Sequence, residues 1–300
     1  MPKIAYRKIK FGADRLALVK KANTIIEEYA QQGFTLTLRQ LFYQFVSRDY
    51  IPNTQRSYKN LGDVVNNARL AGLIDWKAIV DRTRSLKDLS HWENPAEIVS
   101  TCARQFRLDK WADQKRRVEV WIEKDALVGV IEGVCQELDV PFFSCRGFTS
   151  QSEMWEAAMR LRDHVRGGQV PLILHLGDHD PSGKDMTRDI TDRLAEFAGR
   201  DIELVRLALN MDQIEQYNPP PNPVKMTDSR AEGYKAEFGE ESWELDALEP
   251  AVIATLIRDA VMGVREVDKW AAQCVAEGKH RADLTRVSDR WDEIVADTEE

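Results

Sequence analysis

Hydrophobic positions recur at helical spacing through the first third of the chain. Leu16, Val19, Ala22, Ile25, Ile26 and Tyr29 share one face of a helix over 13–32, and Gly33 stops it. Thr35 or Thr37 can cap a second helix, 37–48, with Leu38, Leu41, Phe42 and Phe45 as its apolar stripe. Ile51-Pro52-Asn53 breaks the pattern. A third helix, 54–71, carries Arg56, Tyr58, Lys59, Asn66, Asn67 and Arg69 and ends at Gly72. Leu73-Ile74-Asp75-Trp76 and Ile79-Val80-Asp81-Arg82-Thr83-Arg84 then read as a short β-hairpin. Three helices followed by a basic wing predict a winged-helix module, whose third helix would enter the DNA major groove. The stretch 85–117 reads as helical and polar, and Lys115-Arg116-Arg117 closes the module.

From 118 the period changes. Apolar runs at 118–122, 141–145, 170–176 and 202–208 alternate with helical patterns at 125–138, 151–166 and 183–198. Strands alternating with helices of this length predict an α/β domain, a parallel sheet with helices on both faces. The proline-rich run 218–223 reads as a stiff linker or loop, and 229–298 as helices. The predicted division is 1–117, 118–215 and 216–300.

Composition alters this picture mainly through charge. The chain has 300 residues, 43% of them hydrophobic, enough for two domains with sizeable cores. It has no apolar run long enough to span a bilayer, and its first residues lack a signal-peptide core, so a cytoplasmic protein is expected. Cys102, Cys135, Cys145 and Cys274 show no zinc-ligand spacing. The net charge of −8 hides a split. Residues 1–117 hold 22 Lys+Arg against 12 Asp+Glu; the remainder holds 20 against 38. A basic half joined to an acidic one suggests a DNA-facing module, or merely a solvated basic surface.

Two acidic signatures carry the chemistry. One is Val118-Glu119-Val120-Trp121-Ile122-Glu123-Lys124-Asp125-Ala126-Leu127; the other is Leu172 to Leu176 followed by Gly177-Asp178-His179-Asp180-Pro181-Ser182-Gly183. Each is a strand ending in carboxylate before a helix. Functional groups gather at the carboxyl ends of parallel strands. Glu123, Asp178 and Asp180 would thus converge as oxygen ligands for Mg²⁺, with Mn²⁺ able to substitute. The plainer reading is that these acids cap the helices that follow. His175 and His179 read as strand and loop residues.

Glu after a hydrophobic strand, then Asp-x-Asp after a later one, resembles the Toprim domain of topoisomerases, primases and related nucleases. Glu-Lys-Asp-Ala-Leu with Gly-Asp-His-Asp-Pro-Ser-Gly resembles, more narrowly, the A subunit of type IIB topoisomerases (topoisomerase VI) and its meiotic double-strand-break relatives. That family carries a nucleophilic tyrosine in a winged-helix domain, with an arginine four residues before it. Leu38-Arg39-Gln40-Leu41-Phe42-Tyr43-Gln44 matches, with Arg39 and Tyr43 on one helix face, although by itself the pattern equally fits Tyr43 as a stripe-edge core residue and Arg39 as a solvated one. The resemblance implies that Tyr43 attacks a DNA phosphate, that Arg39 steadies the developing charge, and that the carboxylates hold Mg²⁺. It also implies a homodimer on double-stranded DNA, in which the tyrosine of one protomer meets the metal of the other. Tyr43 is then expected on an exposed face.

The resemblance covers roughly 33–210. The chain lacks a long N-terminal extension and an ATPase module, so a separate GHKL-type ATPase subunit is an open partner. The short format resembles the orphan "Mini-A" proteins of bacterial mobile elements, which implies a nucleoid-associated protein. Arg56, Lys59, Arg69, Lys124 and Arg146 are candidate DNA or phosphate contacts. Lys124 could equally screen the carboxylates, and Arg146 could pair with an acid. The acids of Met226–Arg230 and Ser242–Pro250 could surround the metal site or serve as caps and solvated surface. Two other functions stay open: a Toprim nuclease using metal-activated water, and a non-catalytic winged-helix DNA-binding dimer.

Overall fold

The computed structural model describes residues 3–80 and 89–298. Three helices, α1 (Ala13–Gln31), α2 (Leu38–Ser47) and α3 (Gln55–Leu70), pack around one apolar core that includes Ile25, Leu41, Phe45, Leu61 and Val65. Thr37, not Thr35, starts α2. Its side chain accepts from the Gln40 N–H at 3.2 Å, and the Gln40 side chain accepts from the Thr37 N–H at 2.8 Å.

The segment after α3 departs from the expected hairpin. Residues 73–76 form no strand: the Leu73 N–H bonds back to Ala68 O, Ile74 is fully buried, and the Asp75 side chain closes a turn on the Lys77 N–H. Burial beneath the helices, not strand pairing, sets their hydrophobicity. Ile79 instead bridges in parallel to Leu36. Residues 81–84 of the expected wing lie outside the described residues. Within 89–115 only α4 (Pro95–Gln105) is helical, opened by the Asn94 cap and Pro95. The following turns are pinned by Trp111, fully buried, whose Nε1 donates to Leu138 O at 3.0 Å.

The second part is α/β. Strands β1 (Arg116–Ile122), β2 (Phe142–Ser144), β3 (Val170–Leu176) and β4 (Glu203–Ala208) form a parallel sheet in the order β2-β1-β3-β4. Helices α5 (Val128–Glu137), α6 (Gln151–Arg166) and α7 (Pro181–Ala198) connect them. Then come α8 (Met211–Tyr217), α9 (Ala231–Phe238) between the short antiparallel strands β5 (Asn222–Pro223) and β6 (Glu241–Ser242), and α10 (Pro250–Val264), α11 (Val267–Asp289) and α12 (Trp291–Thr298). Strand side chains alternate between two cores. Val118, Val120, Ile122, Leu172, Leu174 and Leu176 meet α5 and α10; Trp121 and Ile173 meet α6 and α7.

The sheet's core does not stop at residue 215. Ile253, Ile257 and Val261 of α10 are fully buried on it, each worth roughly 1.5–3 kcal/mol. The C-terminal region is therefore part of the sheet module and not an appendage behind a linker. α11 returns to pack on α4, tied by Lys110 Nζ to Glu277 at 2.8 Å. The two modules also share packing: Phe34 touches both cores, and Ala247 is buried in the N-terminal one. From β1 the chain runs outward to β2, then crosses to β3 on the other side. The strand order thus reverses between β1 and β3, and their carboxyl ends open a crevice there.

Candidate active site

Glu123 follows β1 and Asp178 follows β3, so both stand at that crevice. They touch: the Asp178 N–H donates to Glu123 Oε2 at 2.8 Å. Two glycines make room for the glutamate. A Cβ on Gly177 would lie 2.9 Å from Glu123 Oε2, and one on Gly183 3.1 Å from it and 2.3 Å from Asp178 O. Asp178 Oδ1 accepts the Leu245 N–H at 2.8 Å, and Oδ2 lies 2.9 Å from Lys124 Nζ.

Asp180 lies near enough for its charge to act on Glu123, and it also has a local role. It is the N-cap of α7, its Oδ1 accepting the Gly183 N–H at 2.7 Å, with Pro181 in the first turn. Among the described residues no three His, Cys, Asp or Glu side chains form a ready metal-binding group. The donor chemistry still fits Mg²⁺. Glu123 and Asp178 offer hard oxygens in a glycine-lined cradle, and Mg²⁺ is commonly held by one or two carboxylates plus phosphate. Burial pushes the Asp178 carboxyl up to about 7, with the Glu123 and Asp246 charges adding to the shift and Lys124 opposing it. Burial likewise raises Glu123.

Arg206 of β4 holds the loop from behind. Its guanidinium donates to Gly183 O at 3.0 Å, Gly177 O at 3.1 Å and Leu209 O at 3.3 Å, and also to Asp178 O. His175 is fully buried behind the site on Thr187 Oγ1, and burial pushes its imidazole down to about 3. His179 pairs with the Tyr234 hydroxyl at 2.6 Å and packs on Phe238 and Trp243. Both histidines are neutral packing residues.

The crevice also receives the acids of the Ser242–Pro250 segment, for which the sequence allows a place around the metal site or a role as caps and surface. Glu244-Leu245-Asp246 places two acids beside the carboxylate pair. Lys124 Nζ lies 2.8 Å from Glu244 Oε2 and 2.9 Å from both Asp246 Oδ1 and Asp178 Oδ2. Burial opposes the ammonium, but Asp246, Asp178 and Glu244 outweigh it and raise its pKa well above that of a free lysine. Lys124 therefore screens the acids of its own chain. Two acids two residues apart, inside the apolar run Trp243, Leu245, Ala247 and Leu248, were the available signal, since charge amid buried hydrophobics requires a partner. Arg206 left no signal in the sequence, because a lone arginine within a strand is common.

Arg39 joins the same network from the N-terminal module. Its Nε stands 2.8 Å from Asp246 Oδ2 in an ion pair outside hydrogen-bond geometry, and its Nη2 bonds to Glu244 Oε2. Tyr43, one turn later, is 3% exposed. This corrects the expected open face. The β5 segment lies over the tyrosine, anchored by Asn53 Nδ2 on Pro221 O at 3.0 Å and on Asn222 Oδ1 at 2.9 Å. The Asn222 amide reaches the Tyr43 hydroxyl at 3.5 Å, and the Arg39 guanidinium sits 5.7 Å from the ring centroid. Burial, with Glu244 and Asp246 nearby, pushes the phenol up to about 12. Tyr43 lines a cavity of about 360 Å³; Glu123, Lys124 and Asp178 line one of about 400 Å³. Arg39, Lys225 and Glu244 line both, so the two spaces are neighbours in one chain.

The remaining candidates divide. Arg56 and Lys59 are exposed on α3. Arg69 is spent internally, donating to Trp76 O at 2.6 Å and stacking on that indole. Arg146 is exposed at the crevice rim, 3.2 Å from Asp125 Oδ1. Comparison with protein-family models finds no match, and comparison with curated proteins finds none either.

Proposed function

We propose that this chain is a DNA-cleaving protein that works by tyrosine transesterification, as the resemblance to type IIB topoisomerase A subunits suggests. The observation that carries the reading is the sharing of Arg39, Lys225 and Glu244 between the Tyr43 cavity and the Glu123–Asp178 cavity. A nucleophile and a carboxylate pair thus line neighbouring spaces of about 360 and 400 Å³, with the Arg39 guanidinium common to both. In this reading the α1–α3 module is the winged-helix DNA-binding part, and the parallel-sheet module is the Toprim part.

The Tyr43 oxygen forms a bond to a backbone phosphorus while the bond to the 3′ oxygen breaks. The phenol's proton is lost and the 3′ oxygen gains one, leaving a 5′-phosphotyrosyl link. Arg39 neutralises charge on the phosphoryl oxygens. Glu123 and Asp178, with Asp180 adjacent, would hold Mg²⁺ or Mn²⁺, which supplies Lewis-acid stabilisation of phosphate charge when bound. Arg206 keeps the carboxylate loop in register. Exposed Arg56 and Lys59 would meet the duplex backbone. Two strands need two tyrosines, hence a homodimer on double-stranded DNA. A separate GHKL-type ATPase would be needed only for strand passage.

One observation favours a second reading. The Tyr43 hydroxyl is hard to ionise and lies beside its own cavity, not the one the carboxylate pair lines. A Toprim nuclease using activated water needs only that pair. Supercoiled plasmid incubated with Mg²⁺ or Mn²⁺ and quenched in denaturant separates the readings. Transesterification leaves protein on 5′ ends, and Tyr43→Phe abolishes it. Cleavage that survives Tyr43→Phe selects hydrolysis. Salt-dependent duplex binding without cleavage selects a binding module.

A further inference from the structure

Glu244 and Asp246 contact the same two cations but are held differently. Asp246 has a side chain 1% exposed, with Oδ1 on Lys124 and Oδ2 on Arg39. It belongs to a short 3-10 turn, Leu245–Ala247, whose first N–H is bonded to Asp178 Oδ1. Moving Asp246 would therefore disturb Asp178. Glu244 precedes that turn on extended backbone, and its side chain is 18% exposed at the mouth of the crevice. A single oxygen, Oε2, takes both Lys124 Nζ and Arg39 Nη2. One anionic oxygen between a guanidinium and an ammonium is the arrangement that a phosphate oxygen adopts. Glu244 also lines three adjoining cavities, including one of about 460 Å³ with Asp180, Asn222 and Lys225, so its side chain has room to swing away.

We propose that Arg39 and Lys124 form a phosphodiester-binding site, and that Glu244 is its internal stand-in, displaced when a DNA phosphate arrives. Asp246 is the positioning residue that keeps both cations in place. The inference rests on the DNA reading above and deepens it. It also gives Lys124 a second role, as screen in the resting chain and phosphate ligand in the loaded one. Glu244 is one of the charges that make Tyr43 hard to ionise. Its departure would lower that barrier where the phosphate has just bound.

The test uses the full chain as wild type, Glu244→Gln, Glu244→Asp and Asp246→Asn. Inorganic phosphate is titrated by calorimetry and a short labelled duplex by anisotropy. Glu244→Gln should bind both about tenfold more tightly, since relief of one competing charge at a partly screened site is worth roughly that factor. Glu244→Asp withdraws the carboxylate by one methylene and should tighten both by less. Asp246→Asn should weaken both. Unchanged or weaker binding in both Glu244 variants overturns the proposal, and so does loss of their cooperative melting, which would make Glu244 a structural tie. Tightening for inorganic phosphate but not for duplex overturns the DNA assignment of the site. Plasmid cleavage is scored separately: tighter binding without a 5′ adduct sinks transesterification and leaves this inference standing. A wild-type adduct with unaltered Glu244→Gln binding does the reverse.

Discussion

Alanine in place of Gly183 sets two known effects against each other. Gly183 is the third residue of α7, and in a free helix the exchange should stabilise by about 1 kcal/mol. Here the new Cβ would stand 2.3 Å from Asp178 O and 3.1 Å from Glu123 Oε2. Carbon–oxygen contacts settle near ~3.3 Å, so the carbonyl or the helix must move by about 1 Å. The carbonyl is poorly placed to yield. Arg206 donates to it, the Asp178 N–H is on Glu123, and its side chain is on Leu245. Overpacking of this kind costs up to about 3 kcal/mol, which leaves a net loss of about 2 kcal/mol after the helical gain. In a chain of this size that lowers Tm by about 3 °C. Thermal and urea unfolding followed by circular dichroism measures it, with Gly133→Ala as control. Gly133 lies in α5, where a Cβ would meet nothing within 4 Å, so that variant should gain stability. A Gly183→Ala protein as stable as wild type, or more so, would refute the account of a tightly built carboxylate loop.

Three further predictions follow from the same contacts. Asp180→Asn keeps the helix cap, because asparagine caps as well as aspartate, so unfolding should shift by less than about 0.5 kcal/mol. If Asp180 helps to hold Mg²⁺, the Tm increment produced by Mg²⁺ should shrink in that variant; an intact increment removes it from the metal site. Asp178 is raised from 3.8 to about 7, so the folded chain keeps a proton that the unfolded chain has already released across that window. That stabilising contribution is full below the unfolded value and is lost as pH rises through the folded one, so Mg²⁺ should raise Tm more above neutrality than in mild acid. Scanning calorimetry in the two buffers decides it, and an equal increment contradicts the raised pair. Arg160→Ala strips a buried Glu119, which accepts two bonds at 2.9 Å from that guanidinium and one from Trp121 Nε1. Arg160 is half exposed, so the loss in urea unfolding should sit at the low end for a broken buried pair, about 3 kcal/mol, and Glu119→Gln should lose less.

The sheet was legible because burial on both faces leaves a strong signature. β1 and β3 read as mostly apolar runs, interrupted by Glu119 and His175, and α5, α6 and α7 as amphipathic stretches between them. The first three helices were legible for the same reason, each with one apolar stripe. Glu123 and Asp178 could be placed at the crevice because parallel strands fix where their ends lie. The first half of the expected wing was misread, since Leu73 and Ile74 are apolar through burial and not through pairing. Asp180 is the α7 cap that Pro181 and Gly183 mark, and its part in holding a metal stays a proposal. The partners of Glu244 and Asp246 lie 120 or more residues away, so a local pattern can say that these acids need partners but not which ones. The cover over Tyr43 is of the same kind. A proline-rich run read as a linker becomes a lid once Asn53 anchors it.

The opposite charges of the two halves acquire a more specific meaning from this network. The basic surplus of residues 1–117 suggested a DNA-facing surface, yet one of its central members, Arg39, is answered by Glu244 and Asp246 from the acidic remainder. Part of the surplus therefore acts inside the chain, where it holds the two modules together across the crevice. Exposed Arg56 and Lys59 on α3 stay available to a duplex. In the proposed DNA reading, a binding surface split in this way would have two stages. The outer charges attract the backbone at long range, with the salt dependence that counterion release imposes. The inner pair can accept a phosphate only by giving up its own carboxylate, so it is selective for an anion that brings at least as much charge to the same two cations. The first stage should depend steeply on ionic strength. The second should depend on Glu244, which makes mutation of the acid, and not of the bases, the perturbation that tells them apart.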